Sequence, residues 1–171
     1  MEFLKVIGFD PGYAITGWGV VESPGAGEYR ALGYGAILTD AETRVQDRLA
    51  IIFEDTTELL KAHRPERVIV EQLYFSSNRS TAGGVYQARG VILAACGIAG
   101  LEILEMGPGR VKQTVTGSGR AGKGEVMRMV QRLIGVREPI TPDDTADALA
   151  VAISGLIALS SPLTRGTGGA S

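Results

Sequence analysis

The sequence contains few of the side chains that most often bind transition metals or act as nucleophiles. Its 171 residues include one cysteine, Cys96, and one histidine, His63. A single cysteine excludes an internal disulfide. Cys96 lies in an apolar, small-residue segment and is expected to be a buried, inert thiol. His63 stands at the end of a predicted helix, where contact with the helix dipole is expected. Zinc sites and Cys–His catalysis are therefore disfavoured, and carboxylates are the candidates for any enzymatic chemistry.

Long apolar runs are also missing. The longest, residues 146–159, is too short to span a membrane and carries Asp147 and Ser154. No segment has the charge pattern and cleavage site of a signal peptide. The composition is typical of a globular protein. We therefore predict one soluble, cytoplasmic domain over residues 1–160, followed by a disordered tail over 161–171 that is rich in serine, glycine and threonine.

The chain lacks the strong positive charge that is typical of nucleic-acid binding proteins. Its net charge is −2 and its pI is about 5.5. Basic residues are nevertheless concentrated between Pro108 and Arg132, where Glu125 is the one acid. A local basic surface can exist on an acidic protein. The basic residues of this segment are Arg110, Lys112, Arg120, Lys123, Arg128 and Arg132.

The hydrophobic pattern predicts a single mixed α/β domain. Strands are predicted at residues 4–10, 17–22, 32–38, 67–73 and 101–105. Helices are predicted at 44–63, 80–99, 109–116 and 123–134, with a last helix that is capped by Thr141 or Asp143 and ends near 159. The predicted strand 67–73 is apolar on both faces, which is typical of a central strand covered by helices on both sides. The predicted core face of helix 44–63 comprises Val45, Leu49, Ile52, Leu59 and Leu60.

Four acidic residues occur at unusual places in this pattern. Asp10 and Glu71 each end an apolar predicted strand, where an isolated buried acid would be costly. If these strands are parallel neighbours, both acids lie at the carboxyl edge of the sheet, where ligand sites are common. Asp144 and Asp147 are three residues apart and share one face of the last helix. Acids at a helix start are also stabilised by the helix dipole, which is an alternative explanation for this pair.

Together the four acids indicate a metal site. Four converging carboxylates would repel one another, and a hard divalent cation such as Mg²⁺ or Mn²⁺ would relieve that repulsion. Two such ions about 4 Å apart can activate water and stabilise the leaving oxygen in phosphodiester cleavage. Asp143, four residues before Asp147, competes for a place in the site, and we interpret it as a helix cap or a peripheral acid. Spacing alone does not establish that the acids converge.

Five segments resemble, in order, motifs of the RuvC family of Holliday-junction resolvases. They are Ile7–Gly12, Val70–Gln72, Gln87–Gly90, Val111–Val115 and Asp144–Ala150. The resemblance covers about residues 4 to 155. It implies an RNase H-like fold with a five-stranded mixed sheet flanked by helices on both faces. It also implies a homodimeric, metal-dependent endonuclease that resolves four-way DNA junctions by paired symmetric nicks in recombination and repair, with RuvA and RuvB as partners.

The resemblance also implies roles for individual residues. It assigns catalysis and metal binding to Asp10, Glu71, Asp144 and Asp147, and it favours Asp144 over Asp143. Some relatives carry a histidine near the start of the last helix, and this chain has none there. Matched positions place Lys112 and Lys123 near DNA, in agreement with the basic segment, where both could neutralise phosphates.

The segment after Glu71 is a further candidate for contact with DNA. Tyr74 matches an aromatic position of the family and could stack on an unpaired base. Phe75 could stack in the same way or pack beneath the loop. Arg79, Arg110 and Arg120 are additional candidate DNA-binding residues. Residues 85–95 resemble the family's dimer helix, although their small side chains would equally suit packing on the chain's own sheet.

Three other functions fit parts of the sequence. A junction-binding module that does not cleave is disfavoured because all four acids are present. An actin-like ATPase is suggested by Asp10-Pro11-Gly12, but it would need a second phosphate loop and roughly twice the chain. A related nuclease that acts on RNA is less consistent with the Lys112 motif and the loop after Glu71. The resolvase is therefore the preferred hypothesis.

Overall fold

The computed structural model describes residues 3–74 and 79–160, which form a five-stranded sheet with helices on both faces. The strands are β1 (Leu4–Asp10), β2 (Ile15–Gly25), β3 (Glu28–Leu38), β4 (Arg67–Glu71) and β5 (Ile103–Met106). The helices are α1 (Val45–His63), α2 (Arg79–Ile98), α3 (Pro108–Thr116), α4 (Lys123–Ile134) and α5 (Asp143–Ser160). Three predicted features lie outside the described residues: Phe75, the side chain of Arg79, and the tail 161–171.

The sheet has the mixed topology that the sequence predicts. Its strand order is β3-β2-β1-β4-β5. The first three strands pair antiparallel, and β4 and β5 continue parallel to β1. β2 and β3 extend beyond their predicted bounds, because their pairing continues through register shifts to Gly25 opposite Glu28. These strand ends were not predicted from the sequence, because the repeated glycines and Pro24 favour turns.

Each face of the sheet has its own hydrophobic core. Ile69 of β4 faces the core that α3, α4 and α5 cover, whereas Val68 and Val70 face the core beneath α1 and α2. All three side chains are fully buried. The prediction that this strand is central and covered on both sides is therefore confirmed.

The buried face of α1 agrees only in part with the predicted one. Ile52 and Leu60 are buried and Leu59 packs against the core, as predicted, whereas Val45 is 50% exposed. The buried residues recur every four positions and are Arg48, Ile52, Thr56 and Leu60. Two of these four are polar, so a search for apolar residues alone could not identify the face.

α5 lies unusually close to the sheet because glycines face it. A Cβ atom on Gly17 would lie 1.9 Å from the carbonyl oxygen of Asp144, and one on Gly8 would lie 2.4 Å from that of Ala148. The Thr145 hydroxyl also donates a hydrogen bond to the Gly35 carbonyl (3.0 Å). Gly17 pairs directly with Asp10 across β1 and β2. The first turn of α5 is thereby held over the strand end that carries Asp10.

The lone cysteine is packed inside the fold, whereas the lone histidine is half-buried at the end of α1. Cys96 is fully buried, and burial raises the pKa of its thiol to about 12, as expected of an inert residue. The His63 ring lies 5.6 Å from the Trp18 ring. Within residues 3–74 and 79–160, no helix combines the length and apolarity needed to cross a membrane.

Candidate active site

Asp10 and Glu71 stand next to each other at the carboxyl edge of the sheet. β1 and β4 are parallel neighbours, and Phe9 pairs with Val70, so the following residue of each strand is one of the two acids. Both side chains line a cleft of about 300 Å³. The structure therefore brings together the two strand-end acids in the way that the hypothesis of parallel strands requires.

The remaining walls of the cleft come from α3, α4 and α5. α5 contributes Asp147, α3 contributes Lys112, and α4 contributes Lys123. The Lys123 ammonium lies 3.6 Å from a carboxylate oxygen of Asp147. The apolar lining residues are Pro108, Val111, Val126 and Ala150. The cleft thus presents three carboxylates and two ammonium groups on an apolar background.

Burial and mutual repulsion strongly perturb the acids of the cleft. Burial, followed by the charges of Glu71, Asp147 and Asp144, raises the pKa of Asp10 to about 8. Burial and the Asp147 charge raise the pKa of Glu71 to about 7, although a side-chain hydrogen bond with Asp10 and the nearby lysines lower it. Burial also raises the pKa of Asp147, against the lowering effect of Lys123. These carboxyl groups are close enough to compete for ionisation.

The donor chemistry of the cleft suits a hard divalent cation. Carboxylate oxygens are the preferred protein ligands of Mg²⁺ and Mn²⁺. Within the described ranges, no three acidic, histidine or cysteine side chains are grouped closely enough to form a ready ligand set. Asp147 is directed to Lys123, and Asp10 shares a hydrogen bond with Glu71. In this arrangement, the proton between Asp10 and Glu71 and the Lys123 ammonium group reduce the repulsion between the carboxylates. A divalent cation would reduce that repulsion with a larger charge.

Asp143 and Asp144 occupy different surroundings at the start of α5. Asp144 is half-buried, packs its backbone against Gly17, and contributes to the raised pKa of Asp10. Asp143 is exposed and lines a separate, smaller cleft of about 170 Å³ with Lys123 and Asp147. Asp144 does not line the cleft of Asp10 and Glu71, and its charge is the smallest of the three acidic charges that raise the pKa of Asp10. Asp143 is the first residue of α5 rather than a residue that precedes it.

The candidate DNA-binding residues lie at different distances from the cleft. Lys112 and Lys123 line it, whereas Arg110 and Arg120 are exposed and do not. Tyr74 is 65% exposed, and its hydroxyl donates a hydrogen bond to the Gln72 side chain (3.3 Å). The aromatic ring is thus presented at the surface, only three residues after Glu71.

The small residues of α2 were interpreted as suited either to packing on the chain's own sheet or to contact with a second copy, and the helix has a face that fits each. Ala88, Ile92 and Cys96 are buried against the sheet. Gly83 and Gly90 face outward, with open space where a side chain would be. The helix therefore packs on its own sheet and also presents a surface that another backbone could approach closely.

Two contributors to the site were not identified from the sequence. Gly17 permits the close approach of α5, and its only signal was a glycine inside a predicted strand. Arg48 is buried beneath the loop that follows Asp10, and it interrupts the apolar face of α1 at a four-residue spacing from Ile52. A charged residue in register with buried neighbours was the available signal.

Comparisons with known proteins identify the family of the chain. The family model described as crossover junction endodeoxyribonuclease RuvC matches residues 6–155. The chain is 50% identical to the RuvC enzyme of Moorella thermoacetica over 150 residues, which are 88% of this chain and 89% of that protein. The corresponding enzyme of Heliobacterium modesticaldum is 49% identical over 88% of this chain and 92% of the relative.

A solved structure gives the same result in three dimensions. Thermus thermophilus RuvC, in complex with a Holliday junction substrate, superposes with a TM-score of 0.84 at 36% identity. The match covers 88% of this chain and 92% of that one. The fold is therefore RNase H-like, as predicted. With its family model, its relatives and its fold in agreement, this chain belongs to the RuvC family of crossover junction endodeoxyribonucleases.

Proposed function

We propose that this chain resolves four-way DNA junctions by metal-dependent phosphodiester hydrolysis in the cleft at the carboxyl edge of its sheet. The observation that carries the proposal is the group of half-buried carboxylates with raised pKa values beside two lysines. The proposed ligands of Mg²⁺ or Mn²⁺ are Asp10, Glu71, Asp144 and Asp147. Membership of a family of junction endonucleases supports the substrate.

The four acids have distinct parts in this proposal. Asp10 lies at the centre, since the charges of the other three all raise its pKa. Asp10 also has the higher pKa of the hydrogen-bonded pair, about 8 against about 7 for Glu71, so it is Asp10 that would give up the shared proton in order to hold a cation. Asp147 and Asp144 complete the ligand set from α5. The bound cation supplies Lewis acidity and offsets the negative charge that develops at the scissile phosphate.

The lysines are proposed to hold the DNA backbone against these acids. Lys112 and Lys123 both line the cleft, and each lowers the pKa of Glu71. An ammonium group at this position can pair with the scissile phosphate or with its neighbour. Hydrolysis is direct, without a covalent enzyme intermediate. Tyr74, exposed beside the cleft, is proposed to stack on a base at the junction.

Several finer features of the proposal come from the family. They are two ions in each active site, a homodimer, paired nicks in opposing strands, RuvA and RuvB as partners, and a cytoplasmic location. The outward glycines of α2 support the dimer, because small residues permit close approach of another helix. The Thermus thermophilus structure, in which a RuvC protein is bound to a Holliday junction, supports the substrate.

The test is cleavage of a labelled four-way junction in Mg²⁺ or Mn²⁺, with a linear duplex of the same sequence as control. Symmetric nicks in two opposing strands of the junction alone are expected. Asp10→Asn is expected to bind the junction and not to cleave it. A fully active Asp10→Asn protein would contradict the metal assignment, and binding without nicks in either metal would leave only a binding module.

The assignment of the fourth acid has its own matched pair of variants. Asp144→Asn is expected to lower cleavage strongly, because the charge of Asp144 acts on Asp10. Asp143→Asn removes an equal charge from the adjacent, exposed position and is expected to stay within about threefold of the wild-type rate. A larger loss of cleavage in Asp143→Asn than in Asp144→Asn would assign the fourth acid to Asp143.

A further inference from the structure

The loop that follows Asp10 is held from beneath by a buried arginine. Arg48 of α1 is only 7% exposed. Its Nε donates a hydrogen bond to the Thr39 hydroxyl (3.0 Å), and a terminal nitrogen donates to the Tyr13 carbonyl (3.3 Å). Its guanidinium carbon lies 3.7 Å from the centre of the Tyr13 ring. One side chain thus contacts both the backbone and the ring of a residue three positions after Asp10.

Thr39 completes the attachment of this loop. Its hydroxyl donates to the same Tyr13 carbonyl (2.6 Å), and its backbone N–H donates to the Ala14 carbonyl (3.0 Å). On the other side, the Tyr13 ring packs directly against Gly84 of α2, where an added Cβ would lie 2.5 Å from the nearest ring atom. The loop is therefore fixed between α1, α2 and the segment that joins β3 to α1.

Arg48 has no carboxylate partner in any ion pair of the described residues. Buried charges are usually paired, because desolvation of an isolated charge is costly. Here the charge is compensated by a carbonyl, a hydroxyl and an aromatic face. Lysine could not reproduce this set of contacts, since it lacks the planar fork that donates in two directions while stacking on a ring. Such a costly arrangement beside Asp10 indicates a role beyond stability.

We propose that Arg48 is a positioning residue that holds the loop at Tyr13 and so fixes the direction of the Asp10 carboxylate in the cleft. The inference rests on the proposed function, in which Asp10 holds the catalytic cation. Arg48 itself is buried on the α1 side of the loop and does not line the cleft. Groups that orient a metal ligand without touching the metal typically change metal affinity or activity by about 10- to 100-fold when they are replaced.

The experiment compares Arg48→Met with Arg44→Met. Arg44 lies four residues earlier, and its side chain is 74% exposed and forms an ion pair with Asp47. Mn²⁺ binding to the protein alone is measured by calorimetry, and junction cleavage is measured for kcat and KM. Arg48→Met is expected to lose about 10- to 100-fold in Mn²⁺ affinity and in kcat, with KM unchanged. Arg44→Met is expected to match the wild type.

Two further variants keep the test decisive. Thr39→Val is nearly isosteric, removes the shared hydroxyl, and is expected to change Mn²⁺ affinity in the same direction; it decides the question if Arg48→Met does not fold. Arg48→Lys is expected to recover only part of the loss. Wild-type Mn²⁺ affinity and kcat in folded Arg48→Met and Thr39→Val would overturn the inference, as would a change in KM alone. If instead Asp10→Asn retained both Mn²⁺ binding and cleavage, the proposed function itself would fail.

Discussion

The substitution Gly17→Ala tests whether the close approach of α5 is what places its acids in the cleft. The added Cβ would lie 1.9 Å from the Asp144 carbonyl oxygen, and ordinary contact begins at 3.4 Å. The first turn of α5 must therefore move by about 1.5 Å, because the atom it meets belongs to the backbone and cannot rotate away. A misplacement of about 1 Å can cost roughly 100-fold in rate.

The effect on stability is expected to be moderate by comparison. Overpacking of a core typically costs about 1–3 kcal/mol. For a chain of this length, that free energy corresponds to a fall in Tm of about 2–12 °C. Gly17→Ala should therefore remain folded at 25 °C and bind the junction, while single-turnover cleavage falls about 100-fold.

Gly155→Ala is the matched control, because Gly155 lies on α5 itself, about three turns after Asp144. Its added Cβ would lie 2.4 Å from a side-chain carbon of Ile69, which can change rotamer, whereas Gly17 faces backbone. We expect a comparable change in Tm with cleavage within about threefold of the wild type. The reasoning is refuted if folded Gly17→Ala cleaves at the wild-type rate, or if Gly155→Ala loses as much activity.

Three other perturbations follow from the geometry of the cleft. The pKa of Asp10 is raised from its ordinary 3.8 to about 8, so between these pH values the folded state keeps a proton that the unfolded chain has lost. The free energy of unfolding in EDTA should therefore fall as the pH rises from about 4 to 8. Thermal melts of Asp10→Asn should depend less on pH over the same range. Lys123→Gln should lower cleavage about tenfold. Its Tm should change little, because an exposed ion pair contributes only about 0–1 kcal/mol. The control Arg128→Gln removes a charge that does not line the cleft and should leave the cleavage rate unchanged. Tyr74→Ala should weaken junction binding about 5- to 150-fold, as loss of one base stack predicts, and Tyr74→Phe should not; equal affinities in fluorescence anisotropy would remove Tyr74 from the interface.

The sequence allowed most of the fold to be predicted, because its hydrophobic pattern is locally consistent. The apolar residues on both faces of Arg67–Glu71 and the glycine and proline breaks gave the right elements in the right order. The ends of β2 and β3 could not be predicted, since pairing with a neighbouring strand can extend a segment whose own residues favour turns. The buried face of α1 was predicted only in part, because Arg48 and Thr56 are buried by tertiary contacts rather than by apolarity.

Part of the candidate site could also be predicted from local sequence patterns. An acid that ends an apolar strand is conspicuous, and Asp10 and Glu71 could be identified in that way. Their adjacency depends on the parallel pairing of β1 with β4, which involves residues far apart in the chain. The roles of Gly17 and Arg48 depend on atoms of other elements, Asp144 in one case and Tyr13 in the other. No local pattern encodes such contacts.

The position of the proposed ligands along the chain has a consequence for biosynthesis. Asp10 ends the first strand, whereas Asp144 and Asp147 begin the last helix. During synthesis the amino-terminal strands emerge first, and the nuclease centre is incomplete until α5 has been made and has docked on the glycines of β1 and β2. A chain that stalls before Asp143 therefore lacks half of its proposed ligands. We therefore expect nuclease activity to appear only after the last helix of the chain has been made.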